Sequence, residues 1–165
     1  MPDVALIMGS RSDLASLEGA FQLLDSFGIS REVRVMSAHR TPDAAADFAK
    51  TAASNGFKVI ICAAGMAAHL AGVIASHTIL PVIGIPMASA SFNALDSLLS
   101  TVQMPPGIPV AAVTAGSAGA KNAVLLAVEI MALSDPGLRE KLLAFREAQT
   151  AKVEADDASV RKEHC

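Results

Sequence analysis

Five short runs of apolar and β-branched residues recur along the chain, and each is long enough for one β-strand. They begin 23 to 28 residues apart, which leaves room for one helix between neighbouring strands. The first, third and fourth runs are almost continuously apolar, as is typical of parallel strands that are covered on both faces. The pattern predicts strands at residues 4–8, 32–36, 58–62, 81–85 and 109–113.

Helical patterns fill the segments between these strands. After the first strand, apolar residues from Leu14 to Leu24 recur with the spacing of one helix face. Thr41 and Pro42 form a favourable helix start, because threonine can cap free N–H groups and proline fits the first helical position. The same reasoning predicts a helix over residues 94–103 after Asn93 and another over residues 137–152 after Asp135.

Strands that alternate with helices indicate an α/β protein in which right-handed crossovers join parallel strands. We therefore expect a flavodoxin-like three-layer αβα fold with a parallel five-stranded sheet and a C-terminal helix. A single domain is expected over residues 1–155, since no linker or repeat interrupts the pattern. Residues 156–165 are expected to form a frayed tail, because the apolar periodicity is lost there.

Small side chains dominate the apolar part of the sequence. Hydrophobic residues make up 52% of the 165 positions but aromatic residues only 4%, whereas alanine occupies 32 positions. Between Val59 and Ala120 the only charged residue is Asp96. A segment with so little charge requires burial, either within the fold or between subunits.

Charge and terminal sequence argue against several classes of protein. A net charge of −3 and an isoelectric point near 5.7 do not provide the basic surface that nucleic-acid binding requires. Glycines and prolines interrupt the charge-poor segment, so it contains no apolar run of membrane-spanning length. Met1-Pro2-Asp3 does not resemble the start of a signal peptide, and Cys62 and Cys165 do not form a disulfide framework or a metal pair. We expect a cytoplasmic protein.

In the loop after the first strand, Gly9 is followed by Ser10, Ser12 and Asp13. Ligands of open parallel sheets bind beyond the carboxyl ends of the strands, so this loop is a candidate site. Serine hydroxyls beside a helix N-terminus can hold a phosphate, and Asp13 can accept hydrogen bonds from ribose hydroxyls. Capping of the next helix by Ser12 or Asp13 is the alternative. The loop is neither a Walker A nor a GxGxxG sequence, so no ATP or dinucleotide site is predicted.

The loop after the second strand carries His39 and Arg40 side by side. A guanidinium group can hold a phosphate through two parallel hydrogen bonds, and an imidazole transfers protons near neutral pH. A merely solvated histidine is the alternative. The arginine beside it, at the edge of the sheet where a ligand is expected, favours a functional role.

The loop after the third strand consists of small residues around Met66 and leaves space for a planar ligand. His69 is expected about one turn into the next helix and facing the site, although a packed or capping histidine is the alternative. His77 and His164 are not expected to take part. No set of cysteines, histidines and carboxylates has the spacing of zinc ligands, so no metal is predicted.

Four segments of the sequence resemble the PurE family of purine biosynthesis. They read GSRSD from Gly9, SAHRTPD from Ser37, AAHL from Ala67 and DSLLSTVQMP from Asp96. The resemblance covers most of the chain, and the second and fourth segments are long and specific. The family contains two activities. One is an N5-carboxyaminoimidazole ribonucleotide mutase, which moves a carboxylate from the exocyclic nitrogen to ring carbon C4, and the other is an aminoimidazole ribonucleotide carboxylase, which uses carbon dioxide directly.

The AAHL and VQMP segments resemble the mutase branch, which implies an isomerase of IMP biosynthesis with no cofactor and with His39 as acid/base. The resemblance assigns the 5′-phosphate to Ser10, Ser12 and Arg40, with Ser37 and Ala38 in the same pocket; it assigns the ribose to Asp13, and the base and carboxylate to Gly65 and His69. It also implies a homo-octamer that acts after an N5-carboxyaminoimidazole ribonucleotide synthetase.

The loop after the third strand departs from the family pattern. Members usually read GAGGAAHLPG where this sequence has AAGMAAHLAG, so Met66 replaces a glycine and Ala71 a proline. Met66 belongs to the loop expected at the base, where it would either narrow the pocket or point away from it. The direct carboxylase is the alternative enzyme. A flavodoxin-like module that binds a nucleotide without needing His39 is the alternative outside catalysis.

Overall fold

The computed structural model describes residues 2–164 and contains one five-stranded sheet within them. Every pairing is parallel, and the strand order is β2-β1-β3-β4-β5. Each strand lies within a few residues of its expected position, so the parallel five-stranded sheet is confirmed. The strands are β1 (Val4–Met8), β2 (Arg31–Val35), β3 (Val59–Gly65), β4 (Val82–Met87) and β5 (Ala111–Ala112).

Helices separate the strands as the alternating pattern predicts. By its internal contacts the chain divides into two compact units, one that extends to Ala127 and contains the sheet, and one that begins at Val128. The expected single domain over residues 1–155 stays a prediction. The helices are α1 (Leu14–Phe27), α2 (Pro42–Ala52), α3 (Leu70–Ser76), α4 (Leu95–Val102), α5 (Gly116–Ala132) and α6 (Pro136–His164).

Helices cover both faces of the sheet because β1, β3 and β4 are apolar throughout. On one face, Ile60 and Cys62 pack in a buried cluster with alanines of α2 and with Ile74 of α3. On the other face, a Cβ built at Gly119 of α5 would lie 3.3 Å from the Ile85 side chain. Every residue of β1 and β4 is buried, as are the first five residues of β3. The flavodoxin-like fold is therefore confirmed.

Two of the three expected helix caps differ in detail. Thr41 precedes α2 as expected, but its hydroxyl bonds to the backbone of Ser37 instead of capping the helix. Asn93 does not cap α4, because both Asn93 and Ala94 have left-handed backbones and the helix begins at Leu95. Asp135 does cap α6, where its Oδ1 accepts the Leu138 N–H at 3.1 Å.

The edges of the sheet and the C-terminal helix depart from the expected bounds. Strand β5 has only two residues and begins after Pro109, which has no N–H to donate to a ladder. Helix α6 continues to His164, so the expected fraying from residue 156 is not seen up to that residue; Cys165 lies outside the described residues. The lost periodicity reflects full exposure of this helical end, where an Asp157–Arg161 pair at 3.8 Å has the spacing that supports a solvated helix.

Candidate active site

A cavity of about 580 Å³ opens beyond the carboxyl ends of β1 to β4. Four loops line it, one after each of these strands, because parallel strands all end at the same edge of the sheet. Every residue expected in the site lies on its wall. These residues are His39, Ser10, Ser12, Asp13, Ser37, Ala38, Arg40, Gly65, Met66 and His69.

The loop after β1 is a compact turn built around two serines. Ser10 Oγ accepts hydrogen bonds from the Ser12 backbone N–H at 3.3 Å and from the Ser12 hydroxyl at 2.9 Å. Burial raises the pKa of the Asp13 carboxyl, although hydrogen bonds from the Ser10 backbone and the Ser12 side chain oppose the shift. The loop thus places two hydroxyls and one half-buried carboxyl on the same part of the wall.

The loop after β2 is held in shape by Ser37. Its Oγ accepts the backbone N–H groups of His39 at 3.4 Å and of Arg40 at 3.2 Å. The Arg40 guanidinium donates to the carbonyl oxygen of Gly9 at 3.1 Å, which joins this loop to the loop after β1. Arg40 takes part in none of the ion pairs of residues 2–164. Its positive charge therefore remains available to an anion in the cavity.

Two histidines from different loops meet at the cavity wall. His39 Nε2 and His69 Nδ1 lie 2.7 Å apart, and the rings are edge to face with centroids 4.9 Å apart. One nitrogen of this contact must carry the hydrogen and the other must accept it. Both rings cannot be cationic in this arrangement, because two N–H groups would then face each other. One hydrogen bond therefore joins the two rings.

The sequence predicts His69 about one turn inside α3, but the structure places it immediately before the helix. The difference matters, because residues 66–69 form an irregular segment that brings the imidazole back toward the loop after β2. His69 is exposed at the cavity wall and its side chain makes no capping hydrogen bond, so it is neither a packed nor a capping histidine. His77 lies at the C-terminal end of α3, is exposed and does not line the cavity.

Comparison with known proteins identifies the family. The sequence model of AIR carboxylase matches residues 3–152. The chain belongs to the AIR carboxylase family. It is 54% identical to the N5-carboxyaminoimidazole ribonucleotide mutase of Pyrococcus abyssi over 147 residues, which cover 89% of this chain and 83% of that protein. It is 49% identical to the protein of the same name from Escherichia coli K12 over 150 residues, 91% of this chain and 89% of that one.

Solved structures agree with this assignment. The crystal structure of Treponema denticola PurE superposes with a TM-score of 0.86 at 31% identity, and the match covers 96% of this chain and 98% of that one. The predicted resemblance to the PurE family is thereby confirmed.

None of the helices within residues 2–164 is both long and apolar enough to span a bilayer.

The loop after β3 contains Met66, at the position where the resemblance implies a glycine. Met66 has a left-handed backbone with a φ of 58°, and its side chain is 70% exposed at the cavity wall. Glycine adopts this conformation without steric cost, whereas a residue with a Cβ does not. The structure thus gives a physical reason why a glycine is usual here, and Met66 imposes strain on the loop. Gly65 before it lies close to the backbone of β4, where an added Cβ would come within 3.3 Å of the Met87 carbonyl oxygen.

Sequence reasoning missed the contribution of the loop after β4. Ala88, Ser89 and Ala90 line the cavity together with the predicted residues. The rule that ligands bind at strand ends could have identified them, because β4 lies next to β3 and ends at the same edge. Cys62 does not line the cavity, because it lies within β3, and complete burial strongly raises the pKa of its thiol.

Proposed function

We propose that this protein is an N5-carboxyaminoimidazole ribonucleotide mutase with His39 as the catalytic acid/base. The observation that carries the proposal is the His39–His69 contact at 2.7 Å in a cavity that also contains Arg40. Relatives about half identical to this chain carry that name. A proton-transferring group and an anion-binding group on one wall fit a phosphorylated substrate whose reaction needs one proton donor and acceptor.

We assign the substrate-binding roles as the family resemblance implies, and the geometry of the loops supports them. The Arg40 guanidinium and the hydroxyls of Ser10 and Ser12 bind the 5′-phosphate, beside Ser37 and Ala38. Asp13 accepts hydrogen bonds from the ribose. The heterocycle and its carboxylate then lie between the His39–His69 pair and the loop that carries Gly65 and Met66. Support comes from the position of all these residues on one cavity wall and from the link between Arg40 and Gly9.

In the proposed reaction one proton passes from His39 to the substrate, and one returns from the substrate to His39. His39, protonated, gives its proton to the exocyclic nitrogen as the N–carboxylate bond breaks, which releases carbon dioxide and a free amine. Ring carbon C4 then attacks the trapped carbon dioxide and forms the new C–C bond. Neutral His39 removes the C4 proton and regains its starting state. Small apolar residues such as Ala64 and Ala67 line the same cavity and hold the gas beside the ring, which provides the proximity that the second step requires.

His39→Asn tests this assignment. We expect kcat to fall by roughly 10²–10⁴-fold, the range that general acid–base catalysis typically contributes. His77→Asn is the matched control, because that histidine is exposed outside the cavity, and its activity should be unchanged. Aminoimidazole ribonucleotide should still bind to the His39 variant. Mutase turnover within about tenfold of wild type would contradict the catalytic role.

The direct carboxylase remains the second candidate, because the matching family is described as AIR carboxylase. The two activities differ in their substrate. Purified protein is incubated with aminoimidazole ribonucleotide and bicarbonate, or with the N-carboxylated ribonucleotide. Fast turnover of only the N-carboxylated ribonucleotide supports the mutase. Equal turnover of aminoimidazole ribonucleotide at modest bicarbonate supports the carboxylase. In the cell a mutase would act in the cytoplasm after a synthetase that produces the N-carboxylated compound.

A homo-octamer would account for the apolar surface of this chain. Helix α4 carries apolar side chains on an exposed face, which a single copy leaves in water. They are Leu95, Leu98, Leu99 and Val102, with Phe92 just before the helix. Light scattering should give a mass eight times the 16.9 kDa of one chain. A monomer at micromolar concentration would contradict this part of the proposal.

A further inference from the structure

Asp96 is an isolated charge beside the cavity. No other charged residue occurs between Val59 and Ala120, and Asp96 lies in the first turn of α4. A carboxylate in so apolar a segment needs a reason, because an ionised group that is partly withdrawn from water is costly unless it is paired. Its contacts supply that reason.

Only one oxygen of the Asp96 carboxylate has a partner. Ser89, in the cavity wall, donates its hydroxyl hydrogen to Asp96 Oδ2 at 3.0 Å. The other oxygen, Oδ1, is buried and accepts no hydrogen bond from any described residue. A buried acceptor without a donor costs on the order of 1–3 kcal/mol. The one partner that Asp96 does have is a residue of the cavity wall, so its contact points to a role at the site.

The segment between Ser89 and Asp96 is held in a strained shape. Asn93 and Ala94 both have left-handed backbones, with φ of 51° and 73°. Such conformations persist when surrounding contacts enforce them, and they concentrate at functional sites. Here the buried Ser97 hydroxyl donates to the carbonyl oxygens of Met87 at 2.8 Å and of Ala94 at 3.1 Å. Ser97 fixes the base of the loop, and Asp96 fixes the part that faces the cavity.

We propose that Asp96 is a positioning residue that orients Ser89 toward the substrate. Because the Ser89 hydroxyl gives its hydrogen to Asp96, its oxygen can only accept a hydrogen bond from a ligand. Ser89 therefore recognises an N–H or O–H donor of the ribonucleotide, either its exocyclic amine or a ribose hydroxyl. This inference rests on the proposed function for the identity of the ligand, but the Asp96–Ser89 coupling can be measured separately.

A double-mutant cycle on ligand affinity tests the coupling. Calorimetry gives the dissociation constant of aminoimidazole ribonucleotide for wild type, Ser89→Ala, Asp96→Ala and the double variant. We expect each single substitution to weaken binding about fivefold, the value of one ordinary hydrogen bond. The double variant should also be weaker by about fivefold, because Asp96 acts through Ser89. Weakening near 25-fold in the double variant, or no weakening in Asp96→Ala, would overturn the proposal.

Further variants separate positioning from a structural role. Asp96→Asn keeps an oxygen that accepts from Ser89, so its affinity should stay within about twofold of wild type. Asp43 is the acid in the first turn of α2, as Asp96 is in α4, but it is exposed and lies outside the cavity. Asp43→Ala should therefore leave the affinity for aminoimidazole ribonucleotide unchanged. In mutase assays, Asp96→Ala should raise KM with kcat within about twofold. A lower melting temperature with unchanged KM would show a structural role instead and overturn the proposal.

A second probe identifies the donor on the ligand and separates this inference from the proposed function. Ribose 5-phosphate lacks the amine. If Ser89→Ala weakens its binding as well, the donor is a ribose hydroxyl; if only aminoimidazole ribonucleotide is affected, the donor is the amine. Wild-type protein that binds aminoimidazole ribonucleotide without mutase turnover would contradict the proposed function alone. Wild-type protein that binds neither probe would contradict both.

Discussion

Replacement of Met66 by glycine should relieve backbone strain in the loop after β3. A non-glycine residue in the left-handed region costs roughly 1–2 kcal/mol, and Met66 has a φ of 58°. Glycine avoids that cost but loses about 0.5–1 kcal/mol through the greater freedom of the unfolded chain. The Met66 side chain is 70% exposed, so its removal sacrifices little buried surface.

The informative comparison is between Met66→Gly and Met66→Ala. Both lose the methionine side chain, and they differ only in the Cβ that makes the left-handed backbone unfavourable. We expect the glycine variant to be more stable than the alanine variant by about 0.5–1 kcal/mol. For a chain of this size that corresponds to a melting temperature higher by roughly 1–4 °C.

Urea unfolding and thermal melting measure this difference. The variants are compared at one protein concentration, because assembly would make the apparent stability depend on it. Ala67→Gly is the control, since Ala67 is the next residue and its φ is not positive. That substitution should destabilise the protein by about 0.4–1 kcal/mol. An alanine variant at least as stable as Met66→Gly would refute the strain argument.

Two further predictions concern other parts of the sheet-containing unit. Burial raises the pKa of Asp13 in the folded protein, so the unfolded state loses its proton first as the pH rises and folding is disfavoured above the folded pKa. Asp13→Asn should therefore raise the melting temperature at pH 7, and the gain should disappear below pH 3.8; a gain that is independent of pH would contradict it. Gly119→Ala should destabilise the protein by at least about 1–3 kcal/mol in urea unfolding, because the new Cβ would lie 1.6 Å from the Thr114 carbonyl oxygen. Gly19→Ala in α1, whose nearest obstacle is the flexible Lys121 side chain, should be neutral or stabilising.

The layout of the fold could be predicted because hydrophobic patterns are local. Each apolar run became a strand, and the runs at β1, β3 and β4 were long enough to require cover on both faces. Helix ends were less accurate, because competing local hydrogen bonds decide them. Thr41 bonds to Ser37 instead of capping α2, and no local pattern distinguishes these two arrangements.

The candidate site could be predicted as a set of residues but not as an arrangement. Parallel strands end at one edge, so the chemistry-bearing loops after β1, β2 and β3 had to meet there. Which atoms meet depends on register and on the irregular backbone of each loop. His39 and His69 are 30 positions apart, and only the folded loops bring their ring nitrogens to 2.7 Å.

The amino-acid sequence by itself determined the order of strands and helices along the chain, the edge of the sheet at which the cavity opens and the residue types available there, because these depend on local periodicity and on parallel topology. Only the tertiary structure decided that the His39 and His69 ring nitrogens meet, that Met66 has a left-handed backbone and that Ser89, on the cavity wall, donates a hydrogen bond to Asp96. These features depend on angstrom-scale distances between distant segments, which the packing of the whole sheet sets and no local pattern records.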